Sequence, residues 1–395
     1  MKGIDIICAI ASGQPDPLVI PFLSENMTCK HLILLVTERI RRSGNAENIA
    51  AALKSSSVKV ECIDLDRGDS WDDIQQSLER VIAENSGKTI AFNANGGTKP
   101  MAMAAFEVCY NESIPVFYVD GNNIDWLYQP KSLSLEPETV RKSLNMNMYF
   151  ASHGYEIVEQ QNLKRSSEIN NLIDNWAERD NEKEVATLNF LAKNAENSLK
   201  VKVDYSKLPK NNQVTDLVYE LEDCEMLTFK DGELIVFNSE EDRFFANGGW
   251  YELHVTRILE QINKDKFEGR GKVIPSVTFR SKGMSQKHQN VKNEFDVVFL
   301  LENRLFAFEC KTADLSSNTH SETNRVDDAV YKLGTMLDNL GGLNSKGAIV
   351  SYRKVKDIDR ERAKLLGIEI IEHSIDKNIL LDKITQMVTN SVRRI

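Results

Sequence analysis

Five short, almost unbroken apolar runs dominate the N-terminal part of the chain: Ile4 to Ala11, Lys30 to Thr37, Val58 to Leu65, Lys88 to Asn93 and Ile114 to Val119. Between them lie stretches with helical spacing, notably Asn45 to Lys54, Trp71 to Glu84 and Met101 to Asn111. Successive side chains of a strand point to opposite faces, so a strand that is apolar at every position must be covered on both. Alternation of such strands with helices predicts an α/β layer built on a parallel sheet, Rossmann-like in outline. Sheets of that kind take ligands at the carboxyl ends of their strands.

At 395 residues the chain is long enough for two or three domains. From about Leu133 to Asn181 it turns polar and reads as connecting helix. Helical patterns at Lys183 to Leu191 and Gln213 to Glu222 are followed by Met226 to Phe229, the turn Lys230-Asp231-Gly232 and Leu234 to Phe237. Two helices and a hairpin look like a small winged helix-turn-helix or a spacer. Its acids Asp216, Glu220, Glu222 and Asp223 would repel phosphates, which favours the spacer. The last part opens with a helix from Asn247-Gly248-Gly249-Trp250 to about Asn263, then the β-runs Glu294 to Leu301 and Arg304 to Lys311, then helices and strands. The expected division is residues 1–145, a linker and winged-helix-like segment over 146–245, and a mixed α/β domain over 246–395.

Lys and Arg number 49 against 59 Asp and Glu, a net charge of −10, which excludes a uniformly basic coat for packaging nucleic acid. One local exception is Lys264 to Lys292, with eight basic residues and two acids, which predicts a basic groove beside the β-runs. The six cysteines show no CxxC spacing and read as reduced, packed thiols. The apolar run after Lys2 is too short to span a membrane, so it reads as a first strand and the chain as cytoplasmic.

Asn93-Ala94-Asn95-Gly96-Gly97-Thr98-Lys99-Pro100-Met101 lies where a strand hands over to a helix. Glycines let backbone approach a ligand, and a helix start offers free N–H groups to an anion. Thr98 adds a hydroxyl and Lys99 a charge, so the loop suits a phosphodiester. Neither a P-loop nor a dinucleotide glycine motif is present. The segment resembles the Asn-x-Thr-Gly-Gly-Thr-Lys-x-Met pattern of CARF domains, the CRISPR-associated Rossmann-fold sensors of cyclic oligoadenylates. Asn93, Gly96, Gly97, Thr98, Lys99 and Met101 match it, and Asn95 stands in place of the usual Thr. The resemblance implies a second contact segment at Ser12-Gly13-Gln14-Pro15, with Ser12 and Gln14 as ligand donors and Thr37 as a weaker candidate. A two-fold symmetric cyclic ligand across two such sites implies a homodimer.

In the last domain, Asp296 and Glu309 interrupt strands that are otherwise apolar. A buried charge costs on the order of several kcal/mol unless a cation compensates. Glu309 and Lys311 share a strand face, and a turn at Glu302-Asn303 can bring Asp296 beside them. Carboxylates with a lysine suit Mg²⁺ or Mn²⁺, hard cations that keep open water positions. The set resembles the PD-(D/E)xK nuclease superfamily, with a restriction-endonuclease-like α/β fold. By that resemblance Asp296 and Glu309 are direct metal ligands, the Cys310 carbonyl is a third, Glu252 on the preceding helix reaches metal through water, and Lys311 is catalytic. Glu294 reads as facing solvent or the basic groove, Tyr331 and Lys332 either touch substrate or pack and solvate, and His254 and His288 read as surface or hydrogen-bonded residues.

The order of the two parts resembles the CARF-nuclease effectors of type III CRISPR antiviral defence, of the Card/Can type. That implies a metal-dependent endonuclease, activated by cyclic tetra-adenylate, cutting single-stranded RNA or DNA or nicking duplex DNA. The alternative is a ligand-responsive transcription regulator that binds DNA through the central segment. A third possibility is that Ser12, Asn93 and Lys99 let the sensor hydrolyse its own activator.

Overall fold

The computed structural model describes residues 3–392 apart from 27, 66–69, 161–165, 209–211, 283–291, 313–323 and 342–344. The N-terminal sheet contains β1 (Ile6–Ile10), β2 (His31–Val36), β3 (Lys59–Asp64), β4 (Ile90–Asn93), β5 (Val116–Asp120), β6 (Asn123–Tyr128) and β7 (Glu138–Thr139), in the order β3-β2-β1-β4-β5-β6-β7. The five predicted strands are all present and mutually parallel, and β6 and β7 extend the sheet antiparallel. Helices α1 (Asp16–Val19), α2 (Glu38–Ser43), α3 (Asn45–Leu53), α4 (Trp71–Glu84) and α5 (Lys99–Asn111) complete the layer. Ile7 and Ala9 of β1 join a core with Ala46, Ile49 and Leu53 of α3, whereas Ile6, Cys8 and Ile10 join one with Leu78 of α4 and Met101 of α5. Both faces are therefore covered, which is why the strand carries no polar positions. All six cysteines are free thiols, and burial pushes Cys8 up to about 12.

After α6 (Met146–Ser152) the chain forms β8 (Tyr155–Gln160), where the sequence reads as connecting helix. Only Tyr155 and Ile157 of this strand pack on the core, and Glu156 and Glu159 lie on its polar side, so a half-polar edge strand resembles a polar helix in sequence. The central segment follows as α7 (Ser167–Ala177), α8 (Glu182–Asn194), β9 (Lys200–Lys202), α9 (Val214–Asp223), β10 (Leu227–Lys230) and β11 (Leu234–Phe237), the strands ordered β10-β11-β9.

The third part has α10 (Glu240–Phe244), α11 (Trp250–Phe267), β12 (Lys272–Ser281), β13 (Asn293–Leu301), β14 (Arg304–Lys311), α12 (Asn324–Asn339), β15 (Ser345–Ser351), α13 (Asp357–Leu365), β16 (Ile368–Glu372) and α14 (Lys377–Val392). Its sheet runs β16-β15-β14-β13-β12-β8, so β8, from the stretch expected to be linker, is its edge strand. β12, β13 and β14 are antiparallel, and β15 and β16 continue parallel to β14. Glu302 and Asn303 close the β13–β14 hairpin with φ of 49° and 61°, the left-handed pair that a tight two-residue turn demands.

The two sheets are fastened to each other. Asn303 Oδ1 accepts from the Leu144 N–H at 2.6 Å, and its Nδ2 donates to Asn122 Oδ1 at 2.7 Å. The Tyr149 hydroxyl donates to the Leu340 carbonyl at 2.6 Å. One apolar cluster runs from Ile7 and Phe117 through Tyr149 and Phe150 to Phe279, Leu305 and Leu337. No helix among the described residues is long and apolar enough to cross a membrane.

His254, expected at the surface or hydrogen-bonded, is only 4% exposed and stacks on Tyr251, and its Nε2 has no partner among the described residues. Burial, helped by the neighbouring His373, pushes its pKa from 6.5 down to about 3. Burial pushes His373 to about 4, although its Nε2 bonds the Ala177 carbonyl. Both rings are neutral in the native state and take up protons on unfolding. Their stabilisation is complete above pH 6.5 and is lost as the pH falls toward 4 and 3, by about 2 kcal/mol each at pH 5. In urea melts at pH 7 and pH 5, His254→Phe, which keeps the ring stacking, is expected to remove about half of this drop. An unchanged drop would contradict the assignment. His288, the other histidine singled out from the sequence, lies outside the described residues.

Candidate functional site

β13 and β14 are paired from Leu301↔Arg304 to Val297↔Phe308. One step further, where Asp296 lies across from Glu309, the Cys310 N–H donates to Asp296 Oδ2 at 2.7 Å. Glu309 is buried, and its Oε1 accepts from Lys311 Nζ at 2.5 Å. Glu252 enters from the first turn of α11. The start of that helix is seated by Gly248, whose φ is +109° and where a Cβ would lie 2.7 Å from Thr312 Oγ1, beside Lys311. Thus three acids and the lysine, drawn from a helix and two strands, lie close together.

Their electrostatics are strained. Burial first, then repulsion from Glu309, lifts Asp296 from 3.8 to about 7, against the pull of Lys311 and the Cys310 N–H. Burial and the charges of Asp296 and Glu294 hold Glu252 well above the usual carboxylate range. Burial alone would lower Lys311, but Asp296 and Glu309 outweigh it and push its pKa up. The cluster is short of positive charge, and its oxygen donors suit a hard divalent cation. Among the described residues, no three His, Cys, Asp or Glu side chains already converge on one metal position. Asp296 is turned to the Cys310 N–H and Glu309 to Lys311, so the donor chemistry fits a metal while these carboxylates have still to turn toward it.

Glu294 does not face open solvent. It is half-buried, and its Oε1 accepts from Ser276 Oγ at 2.6 Å. Ser276 is fully buried with φ 42°, a kink in β12 that sequence reasoning missed. The cluster opens into a cleft of 830 Å³ lined by Glu252, Asp296, Cys310, Lys311, Thr312, Asn247, Gly248 and Arg243, and also by Ala186, Asn189, Phe190, Lys193, Asn194 and Glu196 of the central segment. The basic groove expected over 264–292 is not found here. None of its described residues lines the cleft, Arg270 and Arg280 pair with Glu302 and Glu156, and residues 283–291 lie outside the described ones. The physical reason is antiparallel pairing, which sets Lys272 opposite Leu300 at the turn end of the hairpin, away from Asp296. Tyr331 and Lys332 are exposed on α12 and do not line the cleft either.

In the N-terminal sheet β1 and β4 are neighbours, at the point where the strand order reverses. The loops that follow them meet there. A Cβ on Gly96 would lie 1.6 Å from the Ile10 carbonyl oxygen, and Gly97 has φ +79°. Buried Asn93 donates to the Pro17 carbonyl at 2.8 Å and accepts from the Asn95 N–H at 3.0 Å. Asn95 exchanges two hydrogen bonds of 2.7 Å with the Val119 backbone, and so stitches the loop to β5. Met101 is buried, with its sulfur accepting from the Thr98 N–H at 3.4 Å. Asn93 and Met101 thereby shape the loop from below, whereas Gly97, Thr98 and Lys99 are exposed at the start of α5. Ser12 Oγ closes a turn on Gln14, whose side chain is exposed. Thr37 caps α2 by accepting from the Ile40 N–H at 3.4 Å.

Two of the four acids singled out in the central segment are engaged within it. Glu220 accepts from Trp176 Nε1 and Arg179, and Glu222 from the Phe229 N–H.

Comparison with known proteins matches these two ends separately. Residues 6–149 match the family model of the Card1 CARF domain, and residues 239–389 match that of the Card1-like endonuclease domain. No curated protein matches the sequence. Protein VC1899 from Vibrio cholerae has a TM-score of 0.81 at 24% identity, with 98% of each chain covered. Can2 from Sulfobacillus thermosulfidooxidans, in complex with cyclic tetra-adenylate, has a TM-score of 0.74 at 21% identity, covering 98% of this chain and 99% of that one. A type III CRISPR defence DNA nuclease activated by cyclic oligoadenylate has a TM-score of 0.56 at 16% identity, covering 90% of this chain and 46% of that one. At these identities the likenesses show the fold, and the family matches show what the two ends are. With a CARF domain on its N-terminal sheet and an endonuclease domain on its C-terminal one, the chain belongs to the Card1-type CARF nucleases.

Proposed function

We propose that the chain is a metal-dependent nuclease of type III CRISPR defence, held idle until cyclic tetra-adenylate binds the loops after β1 and β4, and that it then hydrolyses single-stranded RNA or DNA. The observation that carries the reading is the meeting of Glu252, Asp296 and Lys311 in one cleft, with buried Glu309 bonded to Lys311 behind it, in an endonuclease domain joined to a CARF domain. The ligand of the Can2 structure supports cyclic tetra-adenylate as the activator. Asp296 and Glu309, with the Cys310 carbonyl, would hold Mn²⁺ or Mg²⁺, and Glu252 would reach it through water. Such a cation, when bound, polarises the phosphodiester and lowers the pKa of a water. Lys311, held against Glu309, orients the attacking water and offsets the charge that develops on the phosphoryl oxygens.

In the N-terminal domain, Gly97, Thr98 and Lys99 offer N–H groups, a hydroxyl and a charge at the start of α5, and Gln14 is exposed in the loop after the neighbouring strand β1. A ring with two-fold symmetry needs two copies of this surface, so the active species is a homodimer. Gating requires the ligand to prefer one arrangement of that dimer over another. The test is cleavage of labelled single strands with Mn²⁺, with and without cyclic tetra-adenylate, followed by mass spectrometry of nucleotide released from the purified protein. Cleavage only when both are present is the expected result, and equal cleavage without the nucleotide would remove the gate.

A further inference from the structure

A wall of the nuclease cleft is built from outside the endonuclease domain. Ala186, Asn189, Phe190, Lys193 and Asn194 of α8 line it together with Lys311. Their spacing is that of one helix face, and the opposite face of α8, with Val185, Leu188 and Leu191, is in the core. α8 is pinned at this place. Asn189 Nδ2 donates to Thr312 Oγ1 at 2.9 Å, one residue from Lys311, and Arg243 donates to the Ala192 carbonyl at 2.9 Å.

On this rigid wall Phe190 is 65% exposed. A single exposed phenyl ring is ordinary on a protein surface. This one lies in the cleft that holds the acid–lysine cluster, with Lys193 one turn on and with Asn189 Oδ1 buried and lacking a donor among the described residues. An aromatic face and a cation are the complement of a base and a backbone phosphate. Duplex nucleic acid covers the faces of its bases by stacking them on each other, so only an unpaired base can lie on Phe190.

We propose that Phe190 is a base-stacking platform, with Lys193 on a neighbouring phosphate, that makes the cleft select single-stranded nucleic acid. The proposal rests on the nuclease reading and assigns the central segment a role in substrate selection, where the sequence suggests a spacer.

The experiment uses the full chain with Mn²⁺ and cyclic tetra-adenylate, a single strand carrying 2-aminopurine, and a duplex of the same sequence. Stacking on the ring quenches 2-aminopurine on binding. F190A is expected to abolish the quench and raise KM for the single strand about 10- to 100-fold, with kcat and duplex binding little changed. F190W is expected to restore both. An unchanged KM in F190A, an equal loss for duplex, or no rescue by tryptophan would overturn the platform. If the unaltered chain cleaves nothing, the nuclease reading falls, and the quench still decides the platform: present with Phe190 and absent in F190A it stands, otherwise it does not.

Discussion

Asparagine at position 296 is expected to abolish cleavage and, in metal-free protein, to raise the melting temperature. Loss of an anionic ligand and of the electrostatics around the reacting phosphate is worth at least about a hundred- to a thousand-fold in kcat. The gain in stability follows from the raised carboxyl. Its pKa moves from 3.8 unfolded to about 7 folded, so the native chain favours the protonated form, and ionisation of the group costs stability that is fully present only at low pH and is lost as the pH rises through 7. Asparagine is neutral at every pH, and its Oδ1 can still accept the Cys310 N–H that Asp296 Oδ2 takes at 2.7 Å. The comparison is thermal melting at pH 8 without metal, paired with a cleavage assay in Mn²⁺. A variant that loses both activity and stability would mean that Asp296 is a structural acid rather than one kept in place for chemistry.

The second large effect is expected at Gly96. Alanine there would place its Cβ 1.6 Å from the Ile10 carbonyl oxygen and 2.7 Å from the carbonyl carbon, so β1 or the loop after β4 has to move as backbone. These are neighbouring central strands of the sheet, and the cost expected is about 3–5 kcal/mol, at the upper end for a single substitution. Activator binding should be lost with it. Gly13→Ala is the control, since its nearest contact would be Asn45 Nδ2 at an ordinary 3.7 Å. Urea unfolding and titration with cyclic tetra-adenylate separate the two. If Gly96→Ala melted and bound like Gly13→Ala, the close packing of the two loops would be refuted.

Much of this was legible before any coordinates. Trp71–Glu84 is a helix with the bounds its spacing predicts, because Ile74, Leu78 and Val81 mark one face and Ser70 caps it. Asp296 and Glu309 stood out as charges in strands that are otherwise apolar, and the left-handed Glu302-Asn303 turn folds one beside the other. What escaped was long-range. β8 carries its half-polar alternation over too few residues to declare a partner more than 100 residues away in β12. Nothing local to Asn189 or Phe190 indicates that α8 leans on the end of β14, because that contact depends on the side chain of Thr312. The basic count over 264–292 was correct as arithmetic, but it did not include the pairing that turns those side chains elsewhere.

The hairpin turn at Asn303 bears on how such proteins can be recombined. The strands that carry Asp296 and Glu309 end, at the turn, on hydrogen bonds to Leu144 and Asn122 of the CARF domain, so both domains share the joint. A chimera made by splicing in another sensor at its sequence boundary would keep the two sites but replace the residues through which they touch. The transferable module is the sensor together with its seat on the hairpin, and that seat is scattered along the chain.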